Sequence, residues 1–485
     1  MSADYLIILA SGVVIIYALI LELYKSVKNR EWFPLILFSI VLLVVGWIIY
    51  EIWFKEKSKT SPVPTDKEEE LSDNEQELQK AVEVPKSFEM LEDRFEIGPG
   101  EKVILEPTMN YEKFKQIYKT PEFIQQYIQS LKLAQALKIK RYRKVKSQLN
   151  NELNTLAPKK KDFTSLITGD VADAIRKAIR ELDLLIEEVS KIKVTSETIL
   201  KNLDSALYDN ENGLETLTGR SEVKDFLAVR IYTFVYNPRI FFTKFQNILL
   251  YGGSGYGKTK IGQVIGHVLT KSGLLIRGKF VQTTKSLFVS PYVNLTAGQT
   301  RSVLLSTLES VLFIDEAYDI TPPKDMIFST DHGHEAITEI VNFIGMMYGL
   351  SVIIAAGYTD EMETRFLASN QGLERRFLPP IILKPYNAEE LTKILVRFLL
   401  ETNPDLEFKN NHYNYLYSII KWIEDSNPDT FEKQAGDMQN LSSDISNLIY
   451  SNLSSWPSNY KRVLLDGFNN FLYSKGISIS ECELS

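Results

Sequence analysis

The 485-residue chain has one cysteine, Cys482, and four histidines. A lone thiol excludes an intramolecular disulfide framework and a multi-thiolate zinc site, and it suits a reducing compartment. The histidines offer no zinc-protease helix, because His334-Glu-Ala-Ile-Thr338 carries threonine where the second histidine of that motif belongs. Positive charge is also short: 55 Lys and Arg stand against 62 Asp and Glu, a formal charge of -7. The chain therefore has no global electrostatic footprint for nucleic acid, and such a partner is disfavoured. The helical middle of the chain shows no internal repeat.

What is present is unevenly spread. Apolar residues make up 44% of the chain, near the globular average, but they crowd the N-terminus. Tyr5 to Leu21 and Trp32 to Tyr50 carry no charge and flank the polar stretch Glu22 to Glu31. Helices of that length approach the thickness of a bilayer, and Tyr5, Trp32, Trp47, Tyr50 and Trp53 stand where interfacial aromatics belong. A transmembrane hairpin is expected over 1–55, since Asp4 and the lack of a small-x-small site argue against a cleaved signal peptide. Residues 56–100 are rich in Lys, Glu, Asp, Ser and Pro and read as a disordered charged linker. Residues 101–205 read as a helical N-terminal region, with apolar residues recurring at three and four. Within it Lys138, Lys140, Arg141, Arg143, Lys144 and Lys146 form a basic run. A solvated helix face is its first reading, and contact with phosphate or an anionic lipid surface the second.

The sharpest signal is Gly252, Gly253, Ser254, Gly255, Tyr256, Gly257, Lys258 and Thr259, a full P-loop pattern. It follows the strand-like Asn247 to Tyr251 and opens the helical Ile261 to Leu269, the context the motif requires. Glycines let backbone amides turn toward phosphates, and a helix N-terminus favours negative charge. Lys258 is placed to reach the β and γ phosphates of ATP, and Thr259 to offer its hydroxyl to Mg²⁺. Further on, Ser310 to Ile314 forms an apolar run ending in Asp315 and Glu316. Asp315 suits the metal, and Glu316 suits the role of general base toward water. A third buried strand, Ser351 to Tyr358, precedes Thr359 and Asp360; it reads either as a strand end where open α/β sheets bind ligands or as core alone. Arg375 and Arg376 stand before Pro379 and Pro380. They read either as surface salt-bridging residues or as cations offered to the γ-phosphate of a neighbouring subunit.

These residues resemble the CbbX/SpoVK-type branch of AAA+ ATPases. Tyr292 to Leu304 is similar to that branch's pore-loop segment, and Val311 to Tyr318 to its Walker B signature. His332 to Ile337, Ala355 to Met362 and Asn370 to Phe377 are similar to the blocks that follow. The resemblance spans roughly 214–395, more weakly to about 448. It implies a ring, expected as a hexamer, with ATP and Mg²⁺ between neighbours and Arg376 with Arg375 acting in trans. It also implies Tyr292 and Val293 gripping a threaded polypeptide, and Tyr358 at the sensor-1 position. Three residues depart from the pattern: Asn294 stands where the branch has glycine, Glu374 where it has a basic residue, and Gln439 where a sensor-2 arginine is usual. The rubisco-activating members are soluble, so their substrate is not carried over.

The expected fold is α/β, a P-loop AAA+ domain with a parallel sheet over 206–385 and an α-helical lid and C-terminal region over 386–485. The expected function is a membrane-anchored ATPase that remodels, unfolds or disassembles a protein substrate. Because ATP is needed beyond the hairpin, the expected location is an integral two-pass protein with its ATPase domain facing a cytosol-like compartment. The alternatives are a membrane scaffold with little hydrolysis, which Gln439 and Glu374 favour, and a nucleic-acid motor, which only the basic run favours.

Overall fold

Ile248–Tyr251 (β1), Val311–Ile314 (β3) and Val352–Gly357 (β4) are apolar throughout and buried on both faces, the pattern of central strands in a parallel sheet covered on either side. Phe280–Thr283 (β2) is only partly buried and takes an edge; Ile381–Ile382 (β5) takes the other. All pairs are parallel, in the order β2-β3-β4-β1-β5. The computed structural model describes residues 109–156, 164–244, 246–290, 295–321, 333–452, 456–473 and 475–479.

Alternation along the strands divides the interior into two cores. Ile248, Leu250, Phe313, Ile354 and Ala356 face one core with the helices Tyr111–Ile117 (α1), Ser196–Tyr208 (α4), Ser221–Tyr236 (α5) and Lys258–Lys271 (α6). Leu249, Tyr251, Leu312, Ile314, Ile353 and Ala355 face the other, with Thr164–Lys191 (α3), Thr296–Leu305 (α7) and Gly333–Met347 (α8). The long helix Pro121–Leu156 (α2) serves both: Phe123, Ile124, Tyr127 and Ala134 belong to the first core, and Ile139, Tyr142, Val145 and Leu149 to the second. A third core is helical throughout, formed by Ala388–Thr402 (α9), Asn410–Ser426 (α10), Ala435–Ser451 (α11) and Trp456–Tyr473 (α12) around Leu391, Leu395, Ile419, Leu441, Ile445, Leu464 and Phe468. Asn387 and Glu390 start α9 with reciprocal side-chain caps on each other's backbone amides.

Two expectations change here. The basic run on α2 is not a uniformly solvated face. Lys140, Arg143 and Lys144 are exposed, but Lys138 is 1% exposed and lies 2.7 Å from both carboxylate oxygens of Glu309. The Tyr142 hydroxyl at 2.7 Å and the Ile276 amide at 3.0 Å complete the shell of that carboxylate. Arg141 lies over the Tyr348 ring at 3.8 Å and donates to the Met346 carbonyl.

The second change is the two-pass integral-membrane placement. No helix among the described residues is long and apolar enough to cross a membrane. α2, with 36 residues, extends ~54 Å at 1.5 Å per residue, but Glu122, Lys132, Lys140, Arg143 and Lys144 interrupt it with charge. The runs Tyr5 to Leu21 and Trp32 to Tyr50 and the linker 56–100 lie outside the described residues.

Candidate nucleotide site

The chain leaves β1 into the P-loop, crosses to β2 at the far edge and comes back through β3 to β4, which lies beside β1. Such a point, where successive strands depart to opposite sides, opens a crevice beyond the strands' carboxyl ends. Three groups read separately from the sequence converge there: the loop after β1, the acidic pair after β3, and Tyr358 after β4. The Gly252 amide donates to the Gly357 carbonyl at 3.1 Å, tying the first to the third.

Gly255 and Gly257 have φ of 72° and 80°, left-handed values that favour residues without a Cβ. Gly257 then caps α6 without a side chain, leaving the first amides of the helix open to an anion. Ser254 is exposed, and Gly253, Tyr256 and Thr259 are half-buried. Lys258 is 8% exposed; its ammonium donates to the Gly252 and Gly253 carbonyls at 3.0 and 3.1 Å. It lies 3.9 Å from Glu316 Oε1 and 5.1 Å from the centre of the Tyr358 ring.

Asp315 is half-buried, and its amide is held by the Thr283 carbonyl at 3.1 Å. Glu316 is left-handed at φ 46°, a strained conformation for a non-glycine residue. Its Oε2 is buried with no hydrogen-bond partner among the described residues. Buried carboxylate oxygens are ordinarily satisfied, so this one marks a place where a further polar group belongs. Burial, and after it the neighbouring Glu316, push the Tyr318 hydroxyl pKa well above its ordinary value. The Tyr318 and Tyr358 rings lie 6.2 Å apart, tilted at 38°, and Tyr358 remains 41% exposed.

The arginines are placed elsewhere. Arg376 donates to the Gly372 carbonyl at 2.8 Å, and its own carbonyl accepts from Asn247 Nδ2 at 3.0 Å. Arg375 is exposed. Burial first, and Arg375 second, lower the Arg376 pKa. Phe377 pairs with Asn247 at the start of β1, whereas the P-loop follows its end. One strand of four residues separates them, about 13 Å at 3.3 Å per residue. The structure thus does not bring Arg375 and Arg376 to Lys258 of the same chain. Tyr292, Val293 and Asn294 lie outside the described residues. Gln439 is exposed on α11, the helix whose first amide, from Ala435, donates to the Gly255 carbonyl at 3.2 Å.

Among the described residues no three His, Cys, Asp or Glu side chains cluster as a metal cage. Mg²⁺ bound with a nucleotide takes few protein ligands and completes its shell with phosphate oxygens and water. Hard oxygen donors on Thr259 and Asp315, beside a left-handed glycine cradle, fit that group.

The family described as "ATPase family associated with various cellular activities (AAA)" matches residues 248–379. A protein described as a CfxQ homolog, from Galdieria sulphuraria, is 31% identical over 221 residues, 44% of this chain and 67% of that protein. The chain belongs to the AAA family of ATPases. Within the family, this ATPase is also similar to a protein named ribulose bisphosphate carboxylase/oxygenase activase, chloroplastic, from Cyanidioschyzon merolae, at 35% identity over 143 residues, 30% of the chain and 47% of that protein. Stage V sporulation protein K of Bacillus subtilis is 31% identical over 155 residues, 32% of the chain and 47% of that protein. The ATPase thus spans two thirds of the first of these relatives and about half of the other two, and it is of the CbbX/SpoVK type.

The sequence reading missed Arg220 and Tyr386, which reach the Tyr256 carbonyl from outside the motif, and Gln434, which accepts from the Tyr386 amide. Gly219 before Arg220 was the only local signal; its φ is 64°.

Proposed function

We propose that this ATPase binds ATP with Mg²⁺ in the crevice between the P-loop and the end of β3, and couples its hydrolysis to the remodelling of a protein substrate. The single observation that carries the reading is the convergence of Lys258 with Glu316 at 3.9 Å, beside an unpartnered carboxylate oxygen.

In this scheme the amides of the P-loop and of the first turn of α6 hold the phosphate chain. Lys258 exchanges two carbonyl partners for β and γ phosphate oxygens. Thr259 and Asp315 would hold Mg²⁺, which when bound would offset the charge on the triphosphate. Glu316 accepts a proton from the water that attacks the γ-phosphorus, and the bond from that phosphorus to the β–γ bridging oxygen breaks to release ADP and phosphate. Tyr358 stands at the end of β4 beside the ammonium, where it senses the γ-phosphate. Arg376, with Arg375, is supplied by a neighbouring copy in a ring, because its own P-loop lies a strand's length away. Ring assembly as a hexamer and a grip on polypeptide by Tyr292 and Val293 complete the proposal. Of the three relatives' names only that of the activase states what is acted on, so the client here is left as a protein.

Glu316→Gln tests the reading, since a carboxamide keeps the side chain's size but does not take the proton. Steady-state turnover should fall at least about 100-fold, as loss of a general base does, while ATP is retained on the protein. Turnover equal to that of the unaltered protein would remove Glu316 from the chemistry.

A further inference from the structure

Hydrolysis as described leaves one buried cation beside the P-loop without a task. Arg220 is 4% exposed and left-handed, with φ 54° and ψ 41°, at the start of α5. Its Nη2 donates to the carbonyl of Tyr256 in the P-loop at 2.9 Å. Its Nη1 donates to the carbonyl of Lys384, in the strap that leads from β5 to the lid. The face of the guanidinium lies 3.5 Å from the centre of the Tyr386 ring. Tyr386 in turn places its hydroxyl 3.5 Å from the same Tyr256 carbonyl and donates its amide to Gln434 Oε1 at 2.8 Å, at the start of α11. Glu222 Oε1, 3.5 Å from Nη1, is the neighbouring carboxylate, and Nε has no partner among the described residues.

We propose that Arg220 is a positioning residue that couples occupancy of the nucleotide site to the orientation of the helical lid. The inference rests on the nucleotide-binding reading above. A guanidinium is planar, so its two donors keep a fixed geometry relative to each other. Tyr256 sits between two left-handed glycines, Gly255 and Gly257, so its carbonyl turns with the loop as the loop amides turn toward phosphate. The Lys384 carbonyl must then follow, or one charge-assisted hydrogen bond is lost. Tyr386, stacked on the same guanidinium, carries the displacement to Gln434 and α11. The left-handed backbone at a non-glycine residue is a strain that persists only where its surroundings hold it. Here they do so through the loop and the strap together. Lysine would keep the charge, but its single ammonium has neither the face nor the fork to span both carbonyls.

The test uses the full chain with Arg220→Met and Arg220→Lys, each checked for folding by circular dichroism. Magnesium-ADP affinity, ATP turnover and backbone amide exchange with and without magnesium-ADP are measured for each. In the unaltered protein, nucleotide should slow exchange both in 252–259 and in 384–390 with 435–451. In both variants the P-loop should still be protected and affinity should stay within about threefold, while the response of 384–390 disappears, that of 435–451, still joined to Gly255 through the Ala435 amide, weakens, and turnover falls at least about tenfold, a kcat effect without a matching binding effect. A response of 384–390 that survives undiminished in either folded variant overturns the proposal, as does loss of nucleotide binding itself. Should Arg220→Met fail to fold, Arg220→Lys decides alone. Failure of the unaltered protein to bind magnesium-ADP would instead overturn the nucleotide reading.

Discussion

Glu309 accepts from Lys138, Tyr142 and the Ile276 amide within a shell that excludes water. Its own carbonyl accepts from the Arg277 and Gly278 amides, and its amide donates to the Leu350 carbonyl. It therefore ties α2 to the ends of β2, β3 and β4 opposite the nucleotide crevice. Removing one member of a buried pair leaves the other charged and unpaired, so Lys138→Met should cost about 3–5 kcal/mol of stability. Urea unfolding of the variant against the unaltered chain measures it, and a loss below about 1 kcal/mol would mark the pair as replaceable. At this scale legibility in the sequence depended on separation along the chain. Lys258 bonds to carbonyls five and six residues away, and the motif that announces it is equally local. Lys138 finds its partner 171 residues away, and nothing in the run of cations distinguishes it from Lys140 or Lys144.

At the scale of elements, strands buried on both faces were readable as apolar runs. β1, β3 and β4 all stood out in this way. β2 and β5 did not, because an edge strand mixes exposed with buried positions and β5 has only two residues. The docking of α11 on the P-loop was invisible for another reason: it is made by backbone. Lys433 O lies 1.8 Å from where a Cβ on Gly255 would sit, and Gly255 is left-handed at 72°. Gly255→Ala should therefore both strain the loop and push the start of α11 away. We expect the protein to stay folded and its ATP affinity to weaken at least about tenfold, read by equilibrium titration with a fluorescent nucleotide. Unchanged affinity would show that α11 does not constrain the loop.

For the whole molecule, the proposed function makes a second copy part of the site, because Arg376 lies a strand's length from the P-loop of its own chain. Arg376→Ala alone and Glu316→Gln alone should each be nearly inactive. When they are mixed in equal amounts, a site with an intact Glu316 next to a neighbour with an intact Arg376 should arise in about a quarter of random pairings. Turnover should recover to that fraction, and a mixture as inactive as its components would argue against an arginine in trans. The central strands and the nucleotide loop were legible because each rests on local pattern, whereas the helical lid was expected only with the family resemblance. The expectation of a membrane-spanning protein came from hydropathy and the placing of aromatics, and no helix among the described residues has the length and apolar character to support it.

Everything proposed for the site depends on Lys258, Thr259, Asp315 and Glu316 receiving a metal-bound triphosphate. Equilibrium titration of the folded chain with ATP, with and without Mg²⁺ and in parallel with Lys258→Ala, is the most direct measurement. The account predicts saturable binding that strengthens with Mg²⁺ and weakens at least about tenfold in the variant. Folded protein with no magnesium-dependent affinity for ATP would contradict it.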